Sequence, residues 1–395
     1  MARNLDKSSI PENWKYDFLD QFAIRCSGHT PSQSHPEYWN GGIKWISLAD
    51  SNRLDQGYIF ETTKQISDEG IKNSSAVLLP AETVVLSRDA GIGKSAVMSE
   101  TMAVSQHFMA WKCDNHEKLH SWFLYNWLQL NKPEFERQAV GSTIKTIGLP
   151  YFKKLKIAVP PVPEQQKIAQ ILSTWDKAIA VTEQLLANSQ QQKKALMQQL
   201  LTGKKRLLDE NGVRFEGEWK LTELNSLLDY HQPTPYLVAS TEYDDKYEIP
   251  VLTAGKTFIL GYTNEKSGIY QDSLPVIIFD DFTTDSKFVD FPFKVKSSAM
   301  KILTAKKGAS IKYVFEAMRM LKFTVGGHQR HWISIFSNLV IPIPKSHEQQ
   351  KIAKVLSTAD QEIEALQRKL DGLQQEKKAL MQQLLTGKRR VKVAA

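Results

Sequence analysis

Three stretches of this 395-residue chain carry residue types that could do chemistry. His116-Glu117-Lys118-Leu119-His120 sets two imidazoles one helical turn apart with a carboxylate beside the first, the pattern by which a zinc hydrolase holds metal and general base. The alternative is a helix start, with Asp114 or Asn115 as cap and Glu117 in the first turn, where negative charge meets the helix dipole. Gly91-Ile92-Gly93-Lys94-Ser95 is similar to the end of a phosphate-cradling loop, but that motif needs glycine at position 88, where Arg88 stands. Asp280-Asp281 follows an apolar run without a third acid or histidine at ligand spacing, so a strand-end turn is the simpler expectation. No Asn/Asp-Pro-Pro-Tyr tetrapeptide of an adenine methyltransferase occurs, and Pro233-Thr234-Pro235-Tyr236 is only superficially like one. Lacking a convincing nucleophile, metal cluster or cofactor loop, the chain is expected to hold no catalytic residue, metal or cofactor of its own.

What remains is recognition chemistry. His328, Gln329, Arg330, His331 and Trp332 follow Gly326-Gly327, and Gln and Arg side chains pair with the edges of adenine and guanine. Lys294, Lys296, Ser297, Ser298 and Lys301 form a basic, hydroxyl-bearing stretch suited to phosphates. Arg88, Lys94, Ser95, Ser142, Thr143 and Lys145 stand in comparable glycine-flanked loops of the first half. For each of these alone, a solvated surface position is an equally good reading.

The elements that would position them are organised by an internal repeat. Glu164-Gln165-Gln166-Lys167-Ile168-Ala169 recurs from Glu348 to Ala353, and Lys193 to Lys204 recurs unchanged from Lys377 to Lys388. Both matches lie 184 positions apart without a gap, and 27 of 43 positions agree over 164–206 against 348–390. The repeat reads as a long helix with a heptad seam. In the first copy the seam runs through Ile168, Leu172, Trp175, Ile179, Thr182, Leu186, Ser189, Lys193, Leu196 and Leu200. In the second it runs through Ile352, Leu356, Ala359, Ile363, Leu366, Leu370, Leu373, Lys377, Leu380 and Leu384. Prolines at 160, 161 and 163, and at 342 and 344, precede the helices, while Gly203 and Gly387 follow the last seam residues with basic side chains beyond. About 38 residues at 1.5 Å each give roughly 57 Å per helix. Two such helices in one chain can bury each other's seams as an intramolecular coiled coil; the other possibility is that each joins a different partner.

A weaker repeat frames two globular segments. Trp14-Lys15 and Trp219-Lys220 open them, and Leu155-Lys156-Ile157-Ala158-Val159-Pro160 and Leu339-Val340-Ile341-Pro342-Ile343-Pro344 close them. Between these markers the segments share little. Strands are expected at Val77–Leu79, Thr83–Leu86, Val276–Phe279 and Phe323–Val325, helices at Leu119–Leu130 and Ile311–Leu321, and turns at Gly41-Gly42, Asn211-Gly212 and Gly326-Gly327. The expected fold is α+β: two globular α/β modules separated by two long antiparallel helices, with pseudo-two-fold symmetry. The segments are 1–160, 161–204 (helix), 205–343, 344–390 (helix) and a 391–395 tail.

Composition bounds the partners. The net charge is +8, from 51 basic and 43 acidic side chains. Residues 12–160 hold 16 of each sign and residues 213–345 hold 16 basic and 15 acidic, so both modules are nearly neutral and the excess lies around the helices. Bulk charge is therefore only a mild pointer to a polyanion. Two cysteines, Cys26 and Cys113, exclude a disulfide scaffold or a cysteine zinc module and fit a reducing cytoplasm. No apolar run approaches membrane-spanning length, and no secretory signal is visible.

Two dissimilar modules, each followed by a near-identical helix beginning Pro-x-x-Glu-Gln-Gln-Lys-Ile-Ala (Pro161 to Ala169) and ending Gln-Gln-Leu-Leu-Thr-Gly-Lys (198–204 and 382–388), resemble the specificity subunit of a type I restriction-modification enzyme. Further likeness to its target recognition domains lies in Thr30-Pro31-Ser32, Tyr38-Trp39, Ile43 to Ile46, Ser87-Arg88 with Gly93, and Gly141-Ser142-Thr143. In the second module it lies in Pro250 to Gly255, Ile277 to Phe282 and Lys296 to Lys301. Gly28-His29-Thr30 departs from the commoner Gly-Gly-Thr. The resemblance implies that each module reads one half of an asymmetric bipartite site in double-stranded DNA. It adds Thr30, Ser32, Thr253 and Lys256 to the candidate contacts. It also implies that the helices act as a ruler and dock two modification subunits, which use S-adenosylmethionine to methylate adenine N6, and that two restriction subunits use ATP and Mg. The competing readings are a coiled-coil protein scaffold without DNA readout, and a zinc hydrolase built on His116 and His120.

Overall fold

A computed structural model describes residues 10–113, 118–142, 145–253, 257–321 and 331–393. The chain divides into two compact units, one of residues 1–182 with 369–395, the other of residues 183–368. The division falls inside both long helices, so each unit holds one module, the first half of the helix that follows it, and the last half of the other helix.

In the first unit, five strands form a sheet in the order Ile24–Ser27, Phe108–Lys112, Val84–Ser87, Ser95–Met98, Tyr58–Ile59. Its central strands are almost wholly apolar and buried, as a strand covered on both faces requires. The helix Ser121–Leu130 belongs to the same core, with Phe123, Leu124 and Leu128 beside Trp111 and Phe135. Trp39–Ile46 pairs with Lys64–Ile66 and Ala103–Val104 in a smaller sheet. In the second unit, Leu228–His231, Met300–Ala305, Val276–Asp280 and Ser286–Val289 form a four-stranded sheet in that order, and the helix Ile311–Met318 packs on it through Tyr313, Val314 and Ala317.

The opening and closing markers of each module find each other. Lys15–Phe18 pairs antiparallel with Lys156–Val159, and Lys220–Glu223 pairs antiparallel with Val340–Ile343. The following turns match as well: Leu19 N donates to Leu155 O at 2.8 Å, and Leu224 N donates to Leu339 O at 3.0 Å. A two-stranded ribbon thus closes each module and hands the chain to its helix.

Those helices run Val162–Leu200 and Ser346–Leu384, 39 residues each. Each ends at a glycine in the left-handed region, Gly203 (φ 71°) and Gly387 (φ 74°), where a side chain would be strained. Within each unit the two helix halves are antiparallel: Glu164 meets Arg390 and Asp176 meets Lys377 in one, while Glu348 meets Arg206 and Asp360 meets Lys193 in the other. Every apolar seam residue named above is buried or half-buried. The seam is not uniform, because Ile168 and Leu172 join the first module's core with Met381 and Leu384, and Ile352 and Leu356 join the second's with Met197 and Leu200.

Several local expectations need correction. Val77–Leu79 forms no strand; Val77 and Leu78 are exposed and only Leu79 makes an isolated bridge, to Met102. Gly41-Gly42 is not a turn but lies within Trp39–Ile46, where the register against Lys64–Ile66 slips by a bulge. A Cβ on Gly41 would collide with the Cα and Cβ of Ser67, so the close approach of that residue explains the glycine. Asn211-Gly212 does turn, with Asp209 N bonded to Val213 O at 2.7 Å and Gly212 at φ 77°. Phe323–Val325 and Gly326-Gly327 lie outside the described residues.

Candidate nucleic-acid interface

Gly91 to Ser95 bridges strands Val84–Ser87 and Ser95–Met98, so no helix N-terminus follows it to hold a nucleotide phosphate. Gly93 N donates to Ser87 O and Ser87 N to Lys94 O, which closes a tight hairpin with Gly91 and Gly93 at positive φ. Lys94 Nζ donates to Ser51 O at 2.9 Å and Ser51 Oγ at 3.2 Å. Ser95 is removed as a contact candidate by its burial inside the sheet, where its hydroxyl accepts from Gln129. Arg88 Nε donates to Ile147 O at 3.0 Å, and Asp89 beside it accepts from Thr146 and pairs with His107. The loop is therefore rigidly tied. Beside it, Gly91, Ile92, Lys94, Lys132, Glu136 and the exposed Lys145 line a cleft of about 550 Å³, three ammonium groups against one carboxylate.

Elsewhere in this module, Ser32 is exposed and shares a hydrogen bond with Ser34, while Thr30 bonds Gln106. Ser142 is exposed. Thr143 and His116 lie outside the described residues.

In the second module the basic stretch splits between strands and loop: Lys294 and Lys301 lie in the strands Lys294–Val295 and Met300–Ala305, and residues 296–298 lie in the loop between them. Lys294 is buried against Glu265 (2.8 Å) and Lys301 against Asp281 (3.7 Å), whereas Lys296 and Ser298 face solvent. Ser297 accepts from Ala299 N, and Thr253 donates to Thr257 O. His331 is buried, with Nδ1 2.9 Å from Asp281 O, so it is a packed residue rather than a surface reader. Lys256, His328, Gln329 and Arg330 lie outside the described residues. Asp280 caps the turn after its strand, accepting from Phe282 N and Thr283 Oγ1. Among the described residues no three His, Cys, Asp or Glu side chains are grouped to hold a metal, and no helix is long and apolar enough to cross a membrane.

The geometry that most clearly repeats is not one that residue type alone reveals. At the start of each long helix stands a Glu-Gln pair. Arg390 makes two hydrogen bonds of 2.7 Å to Glu164 and lies over the Trp14 ring; Arg206 makes two of 2.6 Å to Glu348 and lies over Trp219. Gln165 Oε1 accepts from His120 N (2.8 Å), and its Nε2 donates to Pro160 O (2.8 Å) and Lys118 O (3.0 Å). Gln349 does the same with Ser310 N (2.9 Å), Pro344 O (2.9 Å) and Gly308 O (3.4 Å). The exact recurrence of Glu-Gln, and of an arginine after each glycine stop, was the available signal.

The second unit adds a charge network. Lys193 and Lys312 both contact Glu316 and Asp360, and Arg319 reaches Glu316. Burial alone would raise the Asp360 carboxyl, but hydrogen bonds from Lys193 and Lys312 outweigh it and hold it below the usual carboxylate range. A depressed folded-state pKa contributes stability that is present above the unfolded value of about 3.9 and is lost as pH falls through the folded one. Asp360→Asn is therefore expected to destabilise at pH 6 and to match the unsubstituted protein more closely at pH 3. Urea unfolding at both pH values checks this; an unchanged gap would refute it.

Comparison with known proteins follows the duplication. The family described as "Type I restriction modification DNA specificity domain" matches residues 11–188 and again 216–375. A type I restriction enzyme specificity subunit of Escherichia coli is 52% identical over 147 residues, which is 36% of this chain and 36% of that protein's length. A type I restriction enzyme specificity subunit of Methanocaldococcus jannaschii is 23% identical over 430 aligned positions, covering 97% of this chain and 94% of that one. The crystal structure of a type I restriction-modification S subunit from M. genitalium superposes with TM-score 0.62 at 14% identity, covering 96% and 97% of the two chains, a likeness of fold.

Proposed function

The chain belongs to the type I restriction-modification DNA specificity family, and on that premise we propose that it reads an asymmetric bipartite site in double-stranded DNA, one half with each module. In this reading residues 1–160 and 205–343 are target recognition domains, 161–204 and 344–390 are spacer helices, and 391–395 is a tail. The observation that carries it is the duplicated attachment: two modules of different sequence are fixed to near-identical helices by the same set of contacts. Constant mounting with variable readers is what a two-part recognition device requires.

The exposed Ser32, Ser142, Lys145, Lys296 and Ser298 take phosphate contacts, which position without specifying, and the His328–Arg330 segment supplies base contacts. The helices and adjacent surfaces dock two modification subunits. Those subunits carry S-adenosylmethionine and receive the flipped adenine. Two restriction subunits bring ATP and Mg chemistry, and the assembly works in the cytoplasm. The near-neutral modules imply weak DNA binding by the chain alone and strong binding in the assembled enzyme.

A map of N6-methyladenine in cells carrying this subunit and its modification partner tests the reading, which expects two fixed half-sites and a fixed spacer. Inserting seven residues near Ser189 keeps the heptad phase and adds about 10 Å of helix; inserting four adds about 6 Å. Either should lengthen the spacer, by up to about three and two base pairs respectively, with the half-sites unchanged. Unaltered spacing in both insertions would sink the ruler.

A further inference from the structure

We propose that Gln165 and Gln349 are positioning residues that set how each module is held on its helix, and thereby fix the spacing at which the two half-sites are read; this rests on the bipartite reading above. Each glutamine joins three bodies. Its amide oxygen takes the backbone N–H at the N-cap of a module helix, His120 before Ser121–Leu130 or Ser310 before Ile311–Met318. Its amide nitrogen binds the carbonyl that ends the closing ribbon, Pro160 or Pro344, and a carbonyl in the loop that leads into the module helix, Lys118 or Gly308. Its own backbone is the first turn of the long helix.

Both side chains are buried, and both amide protons and the carbonyl oxygen are engaged. Asparagine is one methylene shorter, and glutamate lacks the two donors. Most of the remaining contact between module and helix is apolar and holds without fixing an angle; the directional exceptions are the Trp14–Glu164 hydrogen bond in the first unit and the Lys193–Glu316 and Lys312–Asp360 pairs in the second. Directional bonds fix angles. A module of about 150 residues has a radius near 15 Å, so a tilt of roughly 10–15° at its mount moves a reader by about one base-pair step of 3.4 Å. Loosening the mount therefore blurs spacing before it alters the letters read.

The test uses the full chain assembled with its modification subunit. Gln165→Ala, Gln349→Ala, and the isosteric Gln165→Glu and Gln349→Glu are assayed for methylation of a library whose spacers differ from the cognate length by one or two base pairs. Preference for the cognate over the one-base-pair-shifted spacer should fall tenfold or more, with both half-sites unchanged. Amide exchange at His120 in the Gln165→Ala protein, and at Ser310 in the Gln349→Ala protein, should quicken tenfold or more. Should an alanine variant not fold, Gln→Met at the same position keeps length and burial while removing the three bonds. A sharp, unshifted spacer preference in folded variants overturns the joint alone, as does a change in half-site letters. Absence of any bipartite pattern with the unsubstituted chain overturns the underlying reading instead.

Discussion

Arg206→Met is expected to destabilise the second unit by about 3 kcal/mol, whereas the corresponding Arg390→Met costs the first unit about 1 kcal/mol. The two arginines occupy equivalent positions, so the sequence predicts equal effects; the surroundings do not. Glu348 is 2% exposed, and Arg206 supplies both of its side-chain hydrogen bonds. Among the described residues the neighbouring Trp219 indole N–H makes no hydrogen bond, so in the folded protein no second donor besides Arg206 holds this buried carboxylate, and removing the arginine strands its charge. Glu164, by contrast, also accepts from the Trp14 indole at 3.3 Å, and Arg390 is 42% exposed against 20% for Arg206. Water can therefore replace part of what Arg390 gives. Urea unfolding of each single variant, and of Arg206→Met combined with Glu348→Gln, checks the argument. The double variant should recover part of the loss, since the stranded charge is then gone. Equal costs for Arg206 and Arg390 would show that the tryptophan contact and exposure do not matter.

Leu356→Ala carries the second large effect, about 3 kcal/mol, with Ile363→Ala near 1 kcal/mol although both are seam positions. Leu356 is fully buried among Ile352, Leu200 and the module's own Leu224 and Ile341, so truncation opens a cavity at a three-way junction. Ile363 is half-buried, and its loss is met partly by solvent. The same contrast is expected between Leu172 and Ile179 in the first unit. Thermal or urea unfolding decides it: a uniform cost along the seam would mean that the helices stand as an independent coiled coil, not as extensions of the module cores.

The helices were legible because period, proline and glycine all agreed over some forty residues, and duplication doubled the signal. Val276–Phe279 was legible because these four residues of a central strand are all apolar. Val77-Leu78 has the same composition and forms no strand, since composition does not tell which apolar run finds a partner. Likewise Gly41-Gly42 has the look of a turn, and only the closeness of Ser67 shows why glycine is needed inside a strand. Among the candidate contacts, Ser95 and His331 have the right chemistry but spend it inside the fold. Gln165 and Gln349 were hidden for the opposite reason: an amide in a polar helical turn looks solvated until its three backbone partners, two of them about forty residues away in sequence, come together around it.

Each glycine stop packs against the start of a module. In the second unit the chain leaves Gly203, loops out and returns at Gly217 and Trp219, where Arg206 donates to Gly217 O at 3.0 Å. In the first unit the same junction is made by pieces far apart in sequence: Arg390 donates to Glu12 O at 3.0 Å, and Gly387 packs against Pro11 and Trp14. One junction is spanned by peptide bonds and the other by contact alone, yet their side chains are arranged alike. A circularly permuted chain, joined across the first junction and opened in the loop of the second, would present the same contacts in the opposite order.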